Sequence, residues 1–192
     1  MKIFNILPAE FASSVADPIW FFMPDSTIIR SGNPFYVPEF DDRFEAYPAL
    51  AIKINRLGKS IAQRFVHRYF CEASFAMTVR ATSLLERLRS AGLPWTPAVN
   101  FDKSCFLGDF TDFNALCKKG ISLQIGDETV RYSLEEMMSR IESVISSITS
   151  DTIIKTGDIV LMPLSVDGFI LNPGINIDAT AGDTKLLEIR IK

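Results

Sequence analysis

The side chains able to do chemistry in this 192-residue chain are few, and their spacing suits little of it. His67 is the single histidine. It stands between Arg64 and Arg68 with no carboxylate or nucleophile spaced to pair with it, so it reads as a polar helix residue, not a general base. Cys105 lacks a neighbouring base or an electropositive setting and reads as a small core residue. Glu135 and Glu136 resemble a carboxylate pair but fall in the first turn of a predicted helix, where the helix dipole favours acids. Gly157-Asp158 reads as a turn before a strand, since no Gly-rich motif surrounds it. Asp41, Asp42, Glu45, Glu72 and Asp102 remain as oxygen ligands for a hard cation. Asp41 and Asp42 precede the nearest strand by too many residues to share its face, and Glu45 reaches that face only at its rim.

Composition limits the alternatives further. Hydrophobic residues make up 47% of the chain, enough for one large core, and no linker, repeat or low-complexity segment divides it. A net charge of −3 and a pI near 5.2 argue against a nucleic-acid binder. The basic clusters Arg64, His67, Arg68 and Arg87, Arg89 read as solvated helix faces. Cys71, Cys105 and Cys117 are odd in number and irregular in spacing, which fits reduced core cysteines better than a disulfide framework or a zinc site. The apolar start, Met1 to Leu7, meets Pro8 and Glu10 too early for a signal peptide. No apolar run approaches the length of a membrane span. The expectation is a cytoplasmic protein with no membrane and no nucleic-acid partner.

The elements that must position these residues are mostly strands. Ile19 to Met23 is a short aromatic strand ending at Pro24, and Phe35 to Val37 a brief extended piece. Tyr47-Pro48-Ala49-Leu50-Ala51-Ile52-Lys53-Ile54 is a strand, extended over Ala49 to Ile54. Ser60 is placed as the N-cap of a helix with Ile61, Phe65 and Tyr69 on one side. Cys71 to Val79 is a strand, and Ser83 to Glu86 a capping box for a helix that Gly92 and Pro94 stop. Ile121 to Ile125 and Thr129 to Tyr132 flank Gly126-Asp127-Glu128 as a hairpin. Ser133 and Glu136 form a second capping box, opening a helix with Met137, Ile141, Val144, Ile145 and Ile148 on one face. Ile159 to Leu161 and Leu186 to Ile191 close the chain as strands. Residues 1–17 form a patternless lead-in, and 18–192 a single α+β, mostly β domain.

From Pro18 onwards a series of short motifs resembles, in order, the core domain of the fumarylacetoacetate hydrolase family. Phe21-Phe22-Met23-Pro24 is similar to the family's Phe-Leu-Lys-Pro, and Gly32-Asn33-Pro34 with Pro38 matches its next loop. Met77-Thr78-Val79-Arg80 resembles Asp-Met-Thr-x-Arg. Gly92-Leu93-Pro94-Trp95 resembles the Trp-containing turn before Lys-Ser-Phe-Asp, which here reads Val99-Asn100-Phe101-Asp102. Leu107-Gly108 stands for Pro-Leu-Gly-Pro, Gly157-Asp158-Ile159-Val160 for Pro-Gly-Asp-Val-Ile, and Gly182-Asp183 for the closing Gly-Asp. The resemblance implies a mixed β-roll or β-sandwich with a few peripheral helices, a homodimer, and acylpyruvase-like or 2-hydroxyhepta-2,4-diene-1,7-dioate isomerase-like chemistry. That chemistry is C–C bond hydrolysis, isomerisation or decarboxylation with Mg²⁺ or Mn²⁺.

The positions carrying that chemistry are altered. Two strand residues at i and i+2 share a face, which is how the family's Glu-x-Glu pair binds its metal; those positions are Tyr47 and Ala49 here. The third ligand, an aspartate, maps to Ala76, and the substrate-contacting lysine to Val99. The Thr-Gly-Thr-Pro loop maps to Met162-Pro163-Leu164-Ser165. The family's His-Glu lid has no histidine counterpart upstream of Pro18, so the lid is read as absent or reduced. The expectation is a family member with degenerate metal and catalytic positions and no metal cofactor. It would be catalytically silent, binding a small organic acid or a protein partner through a residual cleft of Arg80, Val99, Asn100, Asp102, Met162 and Pro163. An active hydrolase, isomerase or decarboxylase with a rebuilt site, and a structural subunit beside an active paralogue, are the alternatives.

Overall fold

The computed structural model describes residues 1–8 and 18–192. In chain order its strands are β1 (Ile3–Ile6), β2 (Trp20–Met23), β3 (Ile28–Arg30), β4 (Pro34–Phe35), β5 (Phe44–Ile54), β6 (Phe70–Ala81), β7 (Cys105–Leu107) and β8 (Thr111–Asp112). They continue with β9 (Ile121–Ile125), β10 (Glu128–Tyr132), β11 (Ile159–Pro163), β12 (Phe169–Ile170), β13 (Asn176–Ala181) and β14 (Thr184–Ile191). Three helices, α1 (Thr82–Ser90), α2 (Phe113–Lys119) and α3 (Met137–Asp151), decorate them. This is the expected mixed, mostly β architecture with peripheral helices. Among the described residues no helix is long and apolar enough to cross a membrane.

Two sheets divide the strands. The larger has nine and runs β2-β1-β11-β5-β6-β7-β3, with β12 added to β5 and β8 to β6. The smaller runs β10-β9-β13-β14-β4. Side chains alternate along a strand, so each face of the large sheet has its own neighbours. Leu50, Ile52, Phe75, Met77, Phe106 and Val160 point into the main core, shared with Leu123, Ile177, Leu187 and Ile189 of the small sheet and Ile141 and Ile145 of α3. The other face carries a separate small cluster that includes Ala49, Ala51, Ala76, Cys105, Leu107, Ile159 and Leu161. Gly108 lets the sheets approach: a Cβ there would lie 2.3 Å from the Leu186 carbonyl oxygen, to which the Asp109 N–H donates at 2.8 Å.

Several local expectations are corrected. The lead-in is not patternless, because Ile3–Ile6 is a buried strand, parallel to β11 and antiparallel to β2. Residues 9–17, where the lid reading falls, lie outside the described residues. Strand β5 begins at Phe44, not Ala49, and passes through Pro48. The Pro48 carbonyl accepts from Leu164 N–H, so its missing donor also faces the β11 side, where β11 ends, and no bond to β6 is lost. Ser60 caps no α-helix. Its φ is +51°, and a 3-10 turn comes after it at Gln63–Arg68, burying Val66 and leaving Phe65 outward. Neither capping box forms. Ser83 lies inside α1, whose Leu84 N–H is met at 3.1 Å by the distant Asp41 carboxylate. Glu135 and Glu136 precede α3, which starts at Met137 without a side-chain cap. The expected apolar face of α3 holds, with Met137, Ile141, Ile145 and Ile148 buried and Val144 packed beside the core.

Candidate active-site region

β5 and β6 lie antiparallel in register, so the residues that matter face one another in pairs: Glu45 with Arg80, Tyr47 with Thr78, Ala49 with Ala76 and Ala51 with Ser74. Continuing that pairing sideways, the row through Ala49 reads Pro163, Ala49, Ala76, Leu107. It contains no oxygen ligand on a side chain. Ala49 and Ala76 are buried in the small apolar cluster, with Ile3, Met23, Ile159 and Leu161 among its members. Sequence reasoning expected Tyr47, Ala49 and Ala76 to lie together, and they do share one sheet face.

The next rows form a polar corner. Glu45 and Arg80 are each 8% exposed. The Tyr47 hydroxyl donates to one Glu45 carboxylate oxygen at 2.5 Å, and Arg43 donates to the other from Nε at 2.9 Å, with its terminal nitrogen at 2.6 Å. The Arg80 guanidinium stacks on the Tyr47 ring, 3.9 Å from its centroid. Gly168 also presses on the ring: a Cβ there would sit 2.7 Å from the ring carbon bearing the hydroxyl. Among the described residues Arg80 makes no ion pair within 4.0 Å, so the stacked ring and the facing Glu45 are its nearest compensation.

This packing fixes the protonation of the ring. Burial, reinforced by the hydrogen bond to Glu45, pushes the Tyr47 phenol up to about 12, with Arg80 pulling the other way. Burial likewise lowers the Arg80 guanidinium below its ordinary value, opposed by Tyr47 and Glu45. A phenol whose folded pKa exceeds its unfolded one favours folding fully below the unfolded value near 10 and loses that contribution as pH climbs to about 12. Stability should therefore fall between about pH 10 and 12, and less steeply in Tyr47→Phe. Chemical denaturation across that range, with phenolate absorbance as the second readout, tests it; identical slopes in the two proteins would remove Tyr47 from the account.

The remaining candidates scatter. Val99 and Met162 are buried in the main core, in a different cluster from Ala49. Pro163 ends β11 opposite Ala49. Asn100 donates to the Phe22 carbonyl at 2.8 Å, while its own carbonyl oxygen is buried without a partner among the described residues. Asp102 is exposed. Glu72 pairs with Lys53 at 2.8 Å near the surface, and Asp41 caps α1. Cys105 is fully buried, and burial pushes its thiol up to about 12, as a structural cysteine requires. No group of three or more His, Cys, Asp or Glu able to hold a metal exists among the described residues. Sequence reasoning placed Glu45 on the Tyr47 face, at its rim, and Arg80 in a residual cleft, but did not join them with Arg43 into one corner.

Known proteins resemble this chain throughout. The fumarylacetoacetate (FAA) hydrolase C-terminal family matches residues 5–179. A mitochondrial oxaloacetate tautomerase of Oryza sativa subsp. japonica is 25% identical over 186 residues, covering 90% of this chain and 79% of that protein. The mitochondrial oxaloacetate tautomerase of Mus musculus is 24% identical over 102 residues, 53% of this chain; the match spans about half of that relative, 46%. Among solved structures, a fumarylacetoacetate hydrolase family protein from Yersinia pestis CO92 superposes with a TM-score of 0.85 at 21% identity, covering 100% of this chain and 93% of that one. Fumarylpyruvate hydrolase from Pseudomonas aeruginosa, solved with Mn²⁺ and pyruvate, gives 0.84 at 16% identity, covering 100% and 89%. Over nearly its whole described length, then, this chain belongs to the fumarylacetoacetate hydrolase family.

Proposed function

We propose that this chain keeps the family's fold without its divalent-metal chemistry, and serves as a catalytically silent binding member. The observation that carries the reading is the pairing of Ala49 with Ala76 inside an apolar cluster. A Mg²⁺- or Mn²⁺-type ion takes hard oxygen ligands, usually including one or two carboxylates, and two methyl groups supply none. Tyr47 does not compensate, because its phenol is protonated at neutral pH and donates its hydrogen to Glu45. Glu45, the carboxylate of this corner, is already engaged by Tyr47 and Arg43. The residues present do not fit the ion, and no catalytic step is routed through one.

A second reading, retention of a small organic acid, is favoured by Arg80. A nearly buried cation with no ion-paired carboxylate among the described residues is a natural partner for a carboxylate from outside. The relatives named as oxaloacetate tautomerases and the neighbour solved with pyruvate point to 2-oxo acids as the class to try. A homodimer, or pairing with a paralogue that retains Glu-x-Glu, is consistent with either reading, and native mass spectrometry separates those two.

The test is calorimetric titration with Mn²⁺ and with Mg²⁺, alongside oxaloacetate enol-to-keto conversion followed by absorbance. The expected result is no saturable heat and no metal-dependent acceleration. Stoichiometric Mn²⁺ binding, or turnover abolished by a chelator, would overturn the proposal.

A further inference from the structure

The segment from Ala46 to Cys71 contains no acidic residue, yet carries Lys53, Arg56, Lys59, Arg64 and Arg68 in a chain of net charge −3. Lys53 is paired with Glu72; the other four make no ion pair among the described residues. Arg56 and Lys59 flank Gly58, and Arg64 and Arg68 lie on the 3-10 turn that follows, Gln63–Arg68.

Gly58 and Ile154 exchange two backbone hydrogen bonds, both 3.0 Å, in an isolated antiparallel bridge. Ile154 is fully buried, so alternation turns the flanking residues Leu57, Lys59, Ile153 and Lys155 outward. Leu57 is 65% exposed and Ile153 42%. Gly58 packs against Ile61 and Tyr69, which brings the 3-10 turn alongside. On that turn Phe65 is 37% exposed, with the guanidinium carbons of Arg64 and Arg68 each 4.8 Å from its ring centroid. Arg56 lies 5.9 Å from the Tyr69 ring. The nearest acids along the chain are Glu72, paired with Lys53, Asp151 at the exposed end of α3, and Asp158, which is buried and held by the backbone N–H groups of Lys2 and Lys155.

We infer that this patch is a peripheral docking site for an anionic lipid surface. Three apolar tips, Leu57, Phe65 and Ile153, sit among Arg56, Lys59, Arg64, Arg68 and Lys155, the chemistry of an interfacial anchor: apolar side chains enter the headgroup boundary while the cations meet acidic lipid. Charge complementarity selects the occupant, because the rest of the molecule is net acidic and is repelled by the same surface. Lack of a spanning helix does not bear on binding of this kind. Docking through this patch does not depend on whether the β5–β6 site is silent.

The experiment is co-sedimentation of the intact protein with phosphatidylcholine vesicles, with and without phosphatidylserine. Binding is expected only to the acidic vesicles, and is expected to disappear as salt rises from about 0.1 M to about 1 M, where the screening length falls from about 10 to about 3 Å. Each basic residue removed should weaken partitioning about fivefold, so R64E/R68E should lose well over tenfold. L57S, which leaves every charge in place, should weaken it by a smaller factor, and circular dichroism of each variant confirms folding. Equal binding to neutral vesicles, no binding to acidic ones, or unchanged binding by folded R64E/R68E would overturn the inference. So would a dimer that L57S dissolves, or capture of an RNA oligonucleotide in place of vesicles.

Discussion

Tyr47→Glu, Ala49→Glu and Ala76→Asp introduced together are expected to yield a protein that folds only when a divalent ion is supplied. Ala49 and Ala76 face each other within an apolar cluster walled by Ile159, Leu161 and Leu107, so two of the new carboxylates would be placed where water is excluded. Each buried, unpaired carboxylate costs several kcal/mol even after relaxation, against a total stability of about 5–15 kcal/mol for a domain of this kind. Two such groups, with loss of the Tyr47 ring from between Arg80 and Gly168, reach that limit. An ion bridging the three carboxylates would reverse the balance by stabilising only the folded state. The measurement is thermal melting of the triple variant with EDTA and with Mn²⁺. A large upward shift with Mn²⁺, absent in the unsubstituted protein, is the expected outcome. A folded apo variant indifferent to Mn²⁺ would mean that these three positions do not converge as proposed.

The single variant Ala76→Asp separates desolvation from geometry. A buried aspartate has its pKa raised, so its penalty is least at low pH, where it is neutral in both states, and grows as pH rises past its unfolded value near 4. A destabilisation of about 3–5 kcal/mol at neutral pH that shrinks on acidification is expected. A penalty independent of pH would point to steric overpacking of the cluster instead.

Much of the sheet was legible because its strands obey short-range rules. Ile121 to Tyr132 announces a hairpin by composition alone, and β6 is announced by an extended, largely apolar stretch with no Gly or Pro in it. The order of the family-like motifs carried the fold class. What could not be read were features set by partners distant in sequence. Ile3–Ile6 is a strand because β11 and β2 flank it, and four residues carry too little periodicity to show that. The cap of α1 comes from Asp41, some forty residues upstream, while Ser83 offered a local capping box that the backbone did not use. The Ser60 helix failed because its three periodic residues do not share one element: Ile61 and Tyr69 fall outside the Gln63–Arg68 3-10 turn, whose three-residue period buries Val66 and leaves Phe65 outward. At the candidate site, that Tyr47, Ala49 and Ala76 bring no carboxylate was visible in the sequence. The groups that fill the space were not, since Gly168 and Arg80 meet Tyr47 only in the folded sheet.

Glu45→Ala is the variant that best reports what this corner now does. Glu45 accepts from Tyr47 and Arg43 and faces Arg80 across the β5–β6 ladder, so its removal leaves the half-buried hydroxyl without its acceptor and the buried guanidinium without the facing negative charge. Removing one partner from a buried charged arrangement typically costs about 3–5 kcal/mol. Arg43 escapes most of this, because its side chain is already half in water. Arg80→Met in the same background should recover most of the loss, since replacing a buried cation by an apolar side chain of similar volume is often close to neutral. Urea denaturation of the two single variants and the double variant gives the coupling directly. Additive losses would show that Glu45 does not compensate Arg80. If Glu45 is indeed the internal counterion, Glu45→Ala also opens a site for an external one, and acetate or pyruvate should raise its melting temperature while leaving Glu45→Ala/Arg80→Met unmoved. Such a rescue would make Arg80 a carboxylate receptor held shut by the chain's own Glu45. Its absence would leave the corner as packing alone and favour a role exerted through the protein's outer surface.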